Sequence, residues 1–278
     1  MPVSDFGDGA QSVARALHML EALAAAPSSL GVRELARAVG VAPSTAQRIV
    51  CALAERGFIE QDAARKYRIG LRAFAVGNAF RSGSTLVRAA MEELQSLADH
   101  HQLNAYLGIR EGASVLYLLS VQSSGPIVIK GAPGSRTFLH TTALGKVMLA
   151  SLADDEIKSL LGPQPYRHLT PATITRLSPL MAEIRAVRKS GYAVSDEENL
   201  PGVYAIGAAI RDASGATVAA ISGALPRQMV DRRTLTKIIR PVRDAADRIS
   251  AQLGAHPALG RKPGEHAKDI RAKETAWN

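Results

Sequence analysis

The stretch VRELARAVGVAPSTAQRIVCALAERGFIEQDAARKYRIG, residues 32–70, sets two helical periods and a two-strand period in immediate succession. Val32, Leu35, Ala36 and Val39 recur at the spacing of one helix face, and Gly40 supplies the tight turn that follows. A further helix runs from about Pro43 to Arg56. Pro43 suits a first helical position, whereas Ser44 with Gln47 three residues on forms a candidate capping box, and the pattern leaves both starts open. Ala46, Ile49, Val50 and Leu53 face inward. Ser44, Arg48, Cys51 and Glu55 face outward, with Thr45 and Gln47 flanking. Two short helices about a glycine turn, the second bearing Ser44, Thr45, Gln47 and Arg48 near its start, have the layout of a helix-turn-helix. In that layout the second helix lies in the major groove of DNA. Arg can bond guanine bidentately and Gln adenine. A three-helix cluster with a solvated polar face is the alternative at this point. The next residues weigh against it: Phe58–Gln61 and Lys66–Ile69 read as two short strands around the polar turn 62–65, which makes a wing. Arg65, Lys66 and Arg68 put cations on that wing, suited to phosphate or the minor groove and to affinity more than sequence choice. Upstream, Ser12 to Ala25 reads as an amphipathic helix with Val13, Leu17, Leu20 and Ala24 on its inward face, stopped by Pro27-Ser28-Ser29.

The chain has 278 residues, enough for two domains, and a net charge of +9 that favours a polyanionic partner. Aromatic residues make up only 4%, so small aliphatic side chains must do most of the packing. The single cysteine, Cys51, excludes an internal disulfide and any cysteine-cluster metal site. The first residues lack a basic segment followed by an apolar run, and no apolar stretch approaches the roughly 20 residues of a membrane span. A cytoplasmic location without membrane attachment is the expectation.

Beyond the wing, Leu71–Phe80 continues as a helix, Ser82-Gly83-Ser84 breaks it, and Thr85–His101 forms another with Val87, Met91, Leu94 and Leu97 inside. Strands follow at Asn104–Arg110, Ser114–Val121 and Ile127–Lys130. A helix then opens at Thr141-Thr142 in LHTTALGKVMLASL. Later come helix Ser178–Lys189, strands Tyr192–Ser195, Val203–Arg211 and Thr217–Ser222, and a final helix Asp231–Leu253. Antiparallel strands with helices packed against them predict an α+β domain.

The run from Ser12 to Gly70, with STAQR on its second helix, RGFIEQD leading into the wing and YRIG leaving it, resembles the DNA-binding domain of the IclR family of transcription regulators. LHTTALGKVMLA and GYAVSDEENLPGVYAIGAAIRDASGATVAAISGALP resemble two segments of that family's effector domain, in the right order and spacing. The resemblance covers roughly residues 12 to 253. It implies a winged helix-turn-helix, a linker helix and a GAF-like effector domain with an antiparallel sheet. The corresponding spans are residues 12–70, 71–83 and 84–254, with disordered ends at 1–11 and 255–278. It also implies a homodimer or dimer of dimers on double-stranded operator DNA, with affinity set by a small organic acid or aromatic metabolite. By position, the family's pocket would fall on Ile129, Ala143, Leu144, Ser195, Val203, Ala205 and Ser222, with Asp196 adjacent. Ser195 stands where some members have an acid and Ala205 where some have a cysteine, which points to a less polar pocket and a larger or aromatic acid. A helix start at Thr142–Gly145 would offer free amides to a carboxylate.

An enzyme is disfavoured: no GxSxG elbow, SxxK pair, HExxH site, P-loop or GxGxxG fingerprint is present, so no catalytic residue, metal or cofactor is expected. Lys146 is expected to be solvated or paired with an acid, and Asp196-Glu197-Glu198 to be a solvated turn. Oxidation of Cys51 on the outward helix face is a rival mode of regulation. The effector, the target genes and the sign of regulation are not written in these residues.

Overall fold

The computed structural model describes residues 8–125 and 131–255, which fall into two compact units divided between Ser84 and Thr85. The expected strand Ile127–Lys130, and with it Ile129, lies outside the described residues, as do residues 1–7 and 256–278 of the expected disordered ends.

In the first unit, α1 (Asp8–Ala25), α2 (Val32–Val39) and α3 (Pro43–Glu55) precede the hairpin β1 (Ile59–Gln61) and β2 (Tyr67–Ile69), and α4 (Leu71–Gly83) closes the unit. Gly40 ends α2 at φ 70°, a left-handed conformation that glycine adopts without strain. Pro43 takes the first position of α3 behind Ala42, and no side chain caps that helix, which settles the choice between the two starts. Leu35, Ala36, Ala46 and Val50 are buried together with Ile59 and Tyr67. Leu30 pairs with Tyr67 through two backbone hydrogen bonds of 2.9 and 2.8 Å, adding a single-residue third strand that ties the wing to the segment before α2.

Two expectations about α1 need correction. The helix begins at Asp8, so residues 8–11 are not a disordered extension; Ala10 and Gln11 are good helix formers and prolong it. Its core face is Met19 and Leu23 with Leu20 packed against the same cluster as expected, whereas Val13 and Leu17 are 61% and 55% exposed and Ala24 is exposed too. The helix carries two apolar stripes, and only one can meet α2 and α3. On α4, Leu71, Phe74, Val76 and Phe80 are likewise exposed, and no residue of that helix is buried.

The second unit is built on one six-stranded antiparallel sheet. Its strands are β3 (Asn104–Glu111), β4 (Ser114–Val121), β5 (Arg136–Phe138), β6 (Ala193–Asp196), β7 (Val203–Arg211) and β8 (Thr217–Pro226). Their order is β5-β4-β3-β8-β7-β6. Helices α5 (Thr85–His101) and α9 (Arg232–Gln252) cover one face, with Leu94, Leu97, Ile238, Val242 and Ile249 packed on Leu107, Ile206 and Ile221. Helices α6 (Ala143–Ala150), α7 (Asp154–Leu161) and α8 (Leu177–Ser190) belong to a second core that contains Leu144, Val147, Ile157, Leu180 and Ile184 with Tyr106 and Val115 of the sheet. Each face of the sheet therefore has its own apolar cluster, the α+β arrangement expected. Strand β8 runs four residues past Ser222, because Gly223 lets Leu103 and Val242 approach the backbone and Ala224 keeps pairing with Ala205.

Close approaches of glycine fix α6. A Cβ on Gly145 would overlap the Leu139 carbonyl, and one on Gly207 would lie 2.9 Å from the backbone of Ala143. The start of α6 is thereby pressed against β7. Gly145→Ala gains helix propensity of about 1 kcal/mol but meets backbone that cannot swing aside. The expected outcome is a net loss of roughly 1–3 kcal/mol in the unfolding of the second unit, read by urea denaturation.

Candidate functional site

Helix α3 presents Ser44, Gln47 and Arg48 exposed on its outward face, with Thr45 half-buried. Gln47 Nε2 donates to the sulfur of exposed Cys51 at 3.2 Å, so these two side chains sit one turn apart on the same face. In the wing, the Asp62 carboxylate accepts the amides of Ala64 and Lys66, both at 2.9 Å, and the Asp62 amide donates to the Lys66 carbonyl at 2.8 Å. The Lys66 amide, with Ser29, holds the Asp62 carboxyl below its ordinary range. The tight turn puts Arg65 at φ 60°, leaving Arg65 and Lys66 exposed at the tip. Arg68 differs from them. It lies directly across the strand pair from Glu60 and forms a 2.6 Å ion pair with it. That pair is exposed, and pairs of this kind are worth about 0–1 kcal/mol, so a phosphate can compete for the guanidinium.

In the second unit the start of α6 opens onto a cavity of about 60 Å³ bounded by β3, β4, β7, β8 and the segment after β6. Thr142 caps α6, its hydroxyl accepting the Gly145 amide at 3.0 Å. The amides of Ala143 and Leu144, at the first two helical positions, have no partner within the helix. Six of the residues singled out in the sequence line this cavity: Ala143, Leu144, Ser195, Val203, Ala205 and Ser222. The Ser195 hydroxyl donates to the Thr141 carbonyl at 2.8 Å. Asp196 does not line the cavity; it pairs with Arg227 at 2.6 Å, and that guanidinium lies 5.7 Å from the Tyr204 ring centre. Ile129 is outside the described residues.

Thr142, singled out as part of the helix start, lines the cavity too, and the sequence reading missed Tyr106, Tyr117, Gly131, Asn199, Leu200 and Ala224. Tyr106 and Tyr117 meet edge-to-face at 5.6 Å between centres. Burial pushes both phenols up, Tyr117 to about 12, so at neutral pH each keeps its proton and can donate. No lysine, arginine or histidine lines the cavity among the described residues. Among the described residues the lining is neutral, with apolar carbon interrupted by hydroxyl and amide groups.

Directly behind this wall lies Lys146, whose side chain is only 1% exposed. Its ammonium donates to Glu198 Oε1 at 2.6 Å and to the Val194 carbonyl at 3.0 Å, and Glu183 lies 3.8 Å away. Of the two expected surroundings for Lys146, the paired one holds. The expected solvated turn at Asp196-Glu197-Glu198 is corrected: Glu198 is buried, because only there can it neutralise the lysine. Burial raises the Glu198 pKa even with that lysine beside it, which places the pair in a strongly desolvated setting. A larger groove of about 390 Å³ runs between α5 and α9. Two of its cations already hold carboxylates, Arg248 with Glu93 at 2.6 Å and Arg240 with Asp244 at 3.4 Å, so the smaller cavity is the better ligand site. Among the described residues no group of three His, Cys, Asp or Glu side chains could hold a metal ion, and no helix is long and apolar enough to cross a membrane.

Comparison with known proteins agrees with both halves. Residues 12–63 match the model of the IclR helix-turn-helix domain, and residues 80–251 match that of the bacterial transcriptional regulator IclR C-terminal domain. The HTH-type transcriptional regulator BhcR of Paracoccus denitrificans is 32% identical over 255 residues, covering 91% of each chain. Regulator KdgR of Escherichia coli is 28% identical, with 90% of this chain and 95% of that one covered. Among solved structures, a regulator from Rhodococcus sp. RHA1 superposes with a TM-score of 0.77 at 30% identity, covering 87% of this chain and 98% of its own. An IclR homologue from Microbacterium hydrocarbonoxydans, complexed with 4-hydroxybenzoate, shares the fold, with a TM-score of 0.75 at 22% identity and the same shares covered.

Removing one member of the buried pair strands the other. Lys146→Met is expected to lower stability by about 3–5 kcal/mol. Adding Glu198→Leu should recover part of that loss, and a double-mutant cycle in urea measures the recovery.

Proposed function

This chain belongs to the IclR family of bacterial transcription regulators, and we propose that α3 reads operator DNA while the cavity beside α6 receives an organic acid that sets operator affinity. Such regulators pair a helix-turn-helix DNA-binding domain with a C-terminal effector domain. We assign residues 12–70 to the first, 71–83 to a linker helix and 84–254 to the second, which we read as GAF-like. In the DNA half, Ser44, Thr45, Gln47 and Arg48 face base edges, and Arg65 and Lys66 hold phosphate or the minor groove, with Arg68 exchanging Glu60 for phosphate. The exposed stripes Val13 and Leu17 on α1 and Phe74 and Phe80 on α4 favour a second copy of this chain, so two recognition helices can meet half-sites about 10 bp apart. With a single cysteine and no long apolar helix among the described residues, the cytoplasm is the proposed place of action.

One observation carries the effector reading. The amides at the start of α6, without partners in the helix, border a cavity whose lining among the described residues is neutral, its polar side chains being hydroxyls and one carboxamide. A helix start offers partial positive charge to a carboxylate without any cationic side chain. Ala143, Leu144, Val203 and Ala205 give apolar walls, and Ser195 and Ser222 add hydroxyls. This lining suits an acid with an apolar or aromatic body. The cavity is small beside the roughly 300–1,000 Å³ of typical ligand sites, so binding is accompanied by displacement of a bordering element.

The test is a thermal-shift screen of the full chain with benzoate, 4-hydroxybenzoate and aliphatic and keto acids. A ligand at about 100 times its dissociation constant adds roughly 2.7 kcal/mol, and the melting temperature should rise for an acid and stay put for its methyl ester. Equal shifts for acid and ester would remove the helix start from the account.

On the DNA side, the operator is selected from random duplexes. Arg48→Ala should relax discrimination at one base pair at a cost of about 1–3 kcal/mol. Lys66→Ala should weaken binding to all sequences alike and reduce the slope of log K against log salt by about 0.9. Two parent-like variants would contradict this docking.

A further inference from the structure

Between β6 and β7 the chain borders the cavity as a short strap, residues 197–202, of which Asn199 and Leu200 line it, and many side chains converge to hold it. Glu197 is left-handed at φ 58°, and its carboxylate accepts the Gly202 amide at 2.6 Å, closing the strap on itself. The hydroxyls of Thr170 and Thr173 donate to the carbonyls of Glu197 and Glu198, both at 2.7 Å. The Glu198 side chain is held by the buried ammonium of Lys146 on α6. Asn199 is fixed in turn: its Oδ1 accepts the Thr137 hydroxyl at 2.7 Å, and the Thr141 hydroxyl lies 3.0 Å from the same oxygen. In the structure the oxygen end of the amide faces both hydroxyls; Thr141 has one proton and also reaches the Phe138 carbonyl at 3.1 Å, so Thr137 is the hydroxyl with a proton to give to Oδ1. Asn199 lines the cavity, and its neighbour Thr141 immediately precedes the cap of α6.

With its oxygen committed outside, the polar group that Asn199 has left for the cavity is the Nδ2 amide, which only donates. We propose that Asn199 is a ligand-binding residue of this cavity. Its amide, held by Thr137 and the latched strap, donates to the same carboxylate or carbonyl that the start of α6 receives, and selects for an acceptor at that point. This rests on the acid-binding reading above and adds to it a specific side chain and a direction of hydrogen bonding. Lys146 and Glu198 act as positioning residues: they hold the strap and do not touch ligand. A donor fixed in this way discriminates against an isosteric ligand whose own donor faces it, because one of two buried donors would then go unpaired.

The test compares acids with their amides in the full-length protein: benzoate with benzamide and 2-oxobutyrate with 2-oxobutyramide, each by thermal shift and calorimetric titration. Asn199→Asp keeps an acceptor for Thr137 and Thr141 but faces the ligand with a carboxylate. Affinity for the acid that the parent binds should fall about 10- to 100-fold, the worth of one hydrogen bond to a charged group. The acid-to-amide preference should shrink or reverse. Asn199→Ala, which removes the donor without adding charge, should lose acid affinity without gaining amide affinity. A purely structural role would lower the melting temperature of the unliganded variants and leave the acid-to-amide ratio as in the parent, and that result overturns the proposal. A parent that responds to acids while both variants retain its ratio refutes the Asn199 assignment alone. A parent indifferent to every compound refutes the acid-binding reading and this inference with it.

Discussion

A buried ammonium group needs a counter-charge, and Lys146 finds one in Glu198, across the sequence on another element. The attraction at 2.6 Å is set against the desolvation of both groups, and the Val194 carbonyl supplies a further acceptor. Such a pair has few alternative geometries. It fastens α6 to the end of β6 and to the strap that follows, and those are the elements that bound the cavity. The glycines at 145 and 207 do the complementary work by removing the side chains that would hold α6 away from the sheet. Between the ion pair and the glycine contacts, the helix start, the strap and the β7 wall are held together, so the displacement that admits a ligand falls on another border of the cavity.

The smaller unit follows different physics. Its core is a few aliphatic side chains from three helices and the hairpin, and with Met19 and Leu23 turned inward α1 has apolar surface left over. Helix α4 has more of it, in two phenylalanines at 66% and 61% exposure. Surface of this kind on a DNA-binding unit fits the pairing of copies proposed above. The polar side of the unit is organised by local hydrogen bonds: Asp62 builds the wing turn from backbone amides, and that turn projects Arg65 and Lys66 away from the body.

How much of this was legible in the sequence depended on whether a residue's role was local. Periodicity located α2 and α3 and their buried residues Leu35, Ala36, Ala46 and Val50, because each helix had a single apolar stripe. On α1 it placed Leu20 rightly but not Val13, Leu17 and Ala24, because two stripes compete there and only packing decides. Six cavity residues followed from family resemblance. Tyr106 and Tyr117 did not, since a tyrosine in a strand reads as plain core until the neighbouring strand is in register. Asn199 was hidden in a turn, and its position depends on Thr137 and Thr141, about sixty residues away. Glu198 was misjudged for a related reason: it looks solvated alone, and only the fold brings it to Lys146, for which pairing with an acid was one of two open alternatives. Strand β5, at three residues, was too short to leave a period.

The account stands on communication between the cavity and the recognition helix, and linkage gives the most direct measure of it. The dissociation constant of the acid found by screening should be determined by calorimetry for the free protein and for the protein saturated with its selected operator. Coupling of about 1–3 kcal/mol predicts that the two constants differ by roughly 5- to 150-fold, and that the acid changes operator affinity by the same factor. Identical constants with and without operator would contradict regulation through this cavity, however well the chain binds each partner alone.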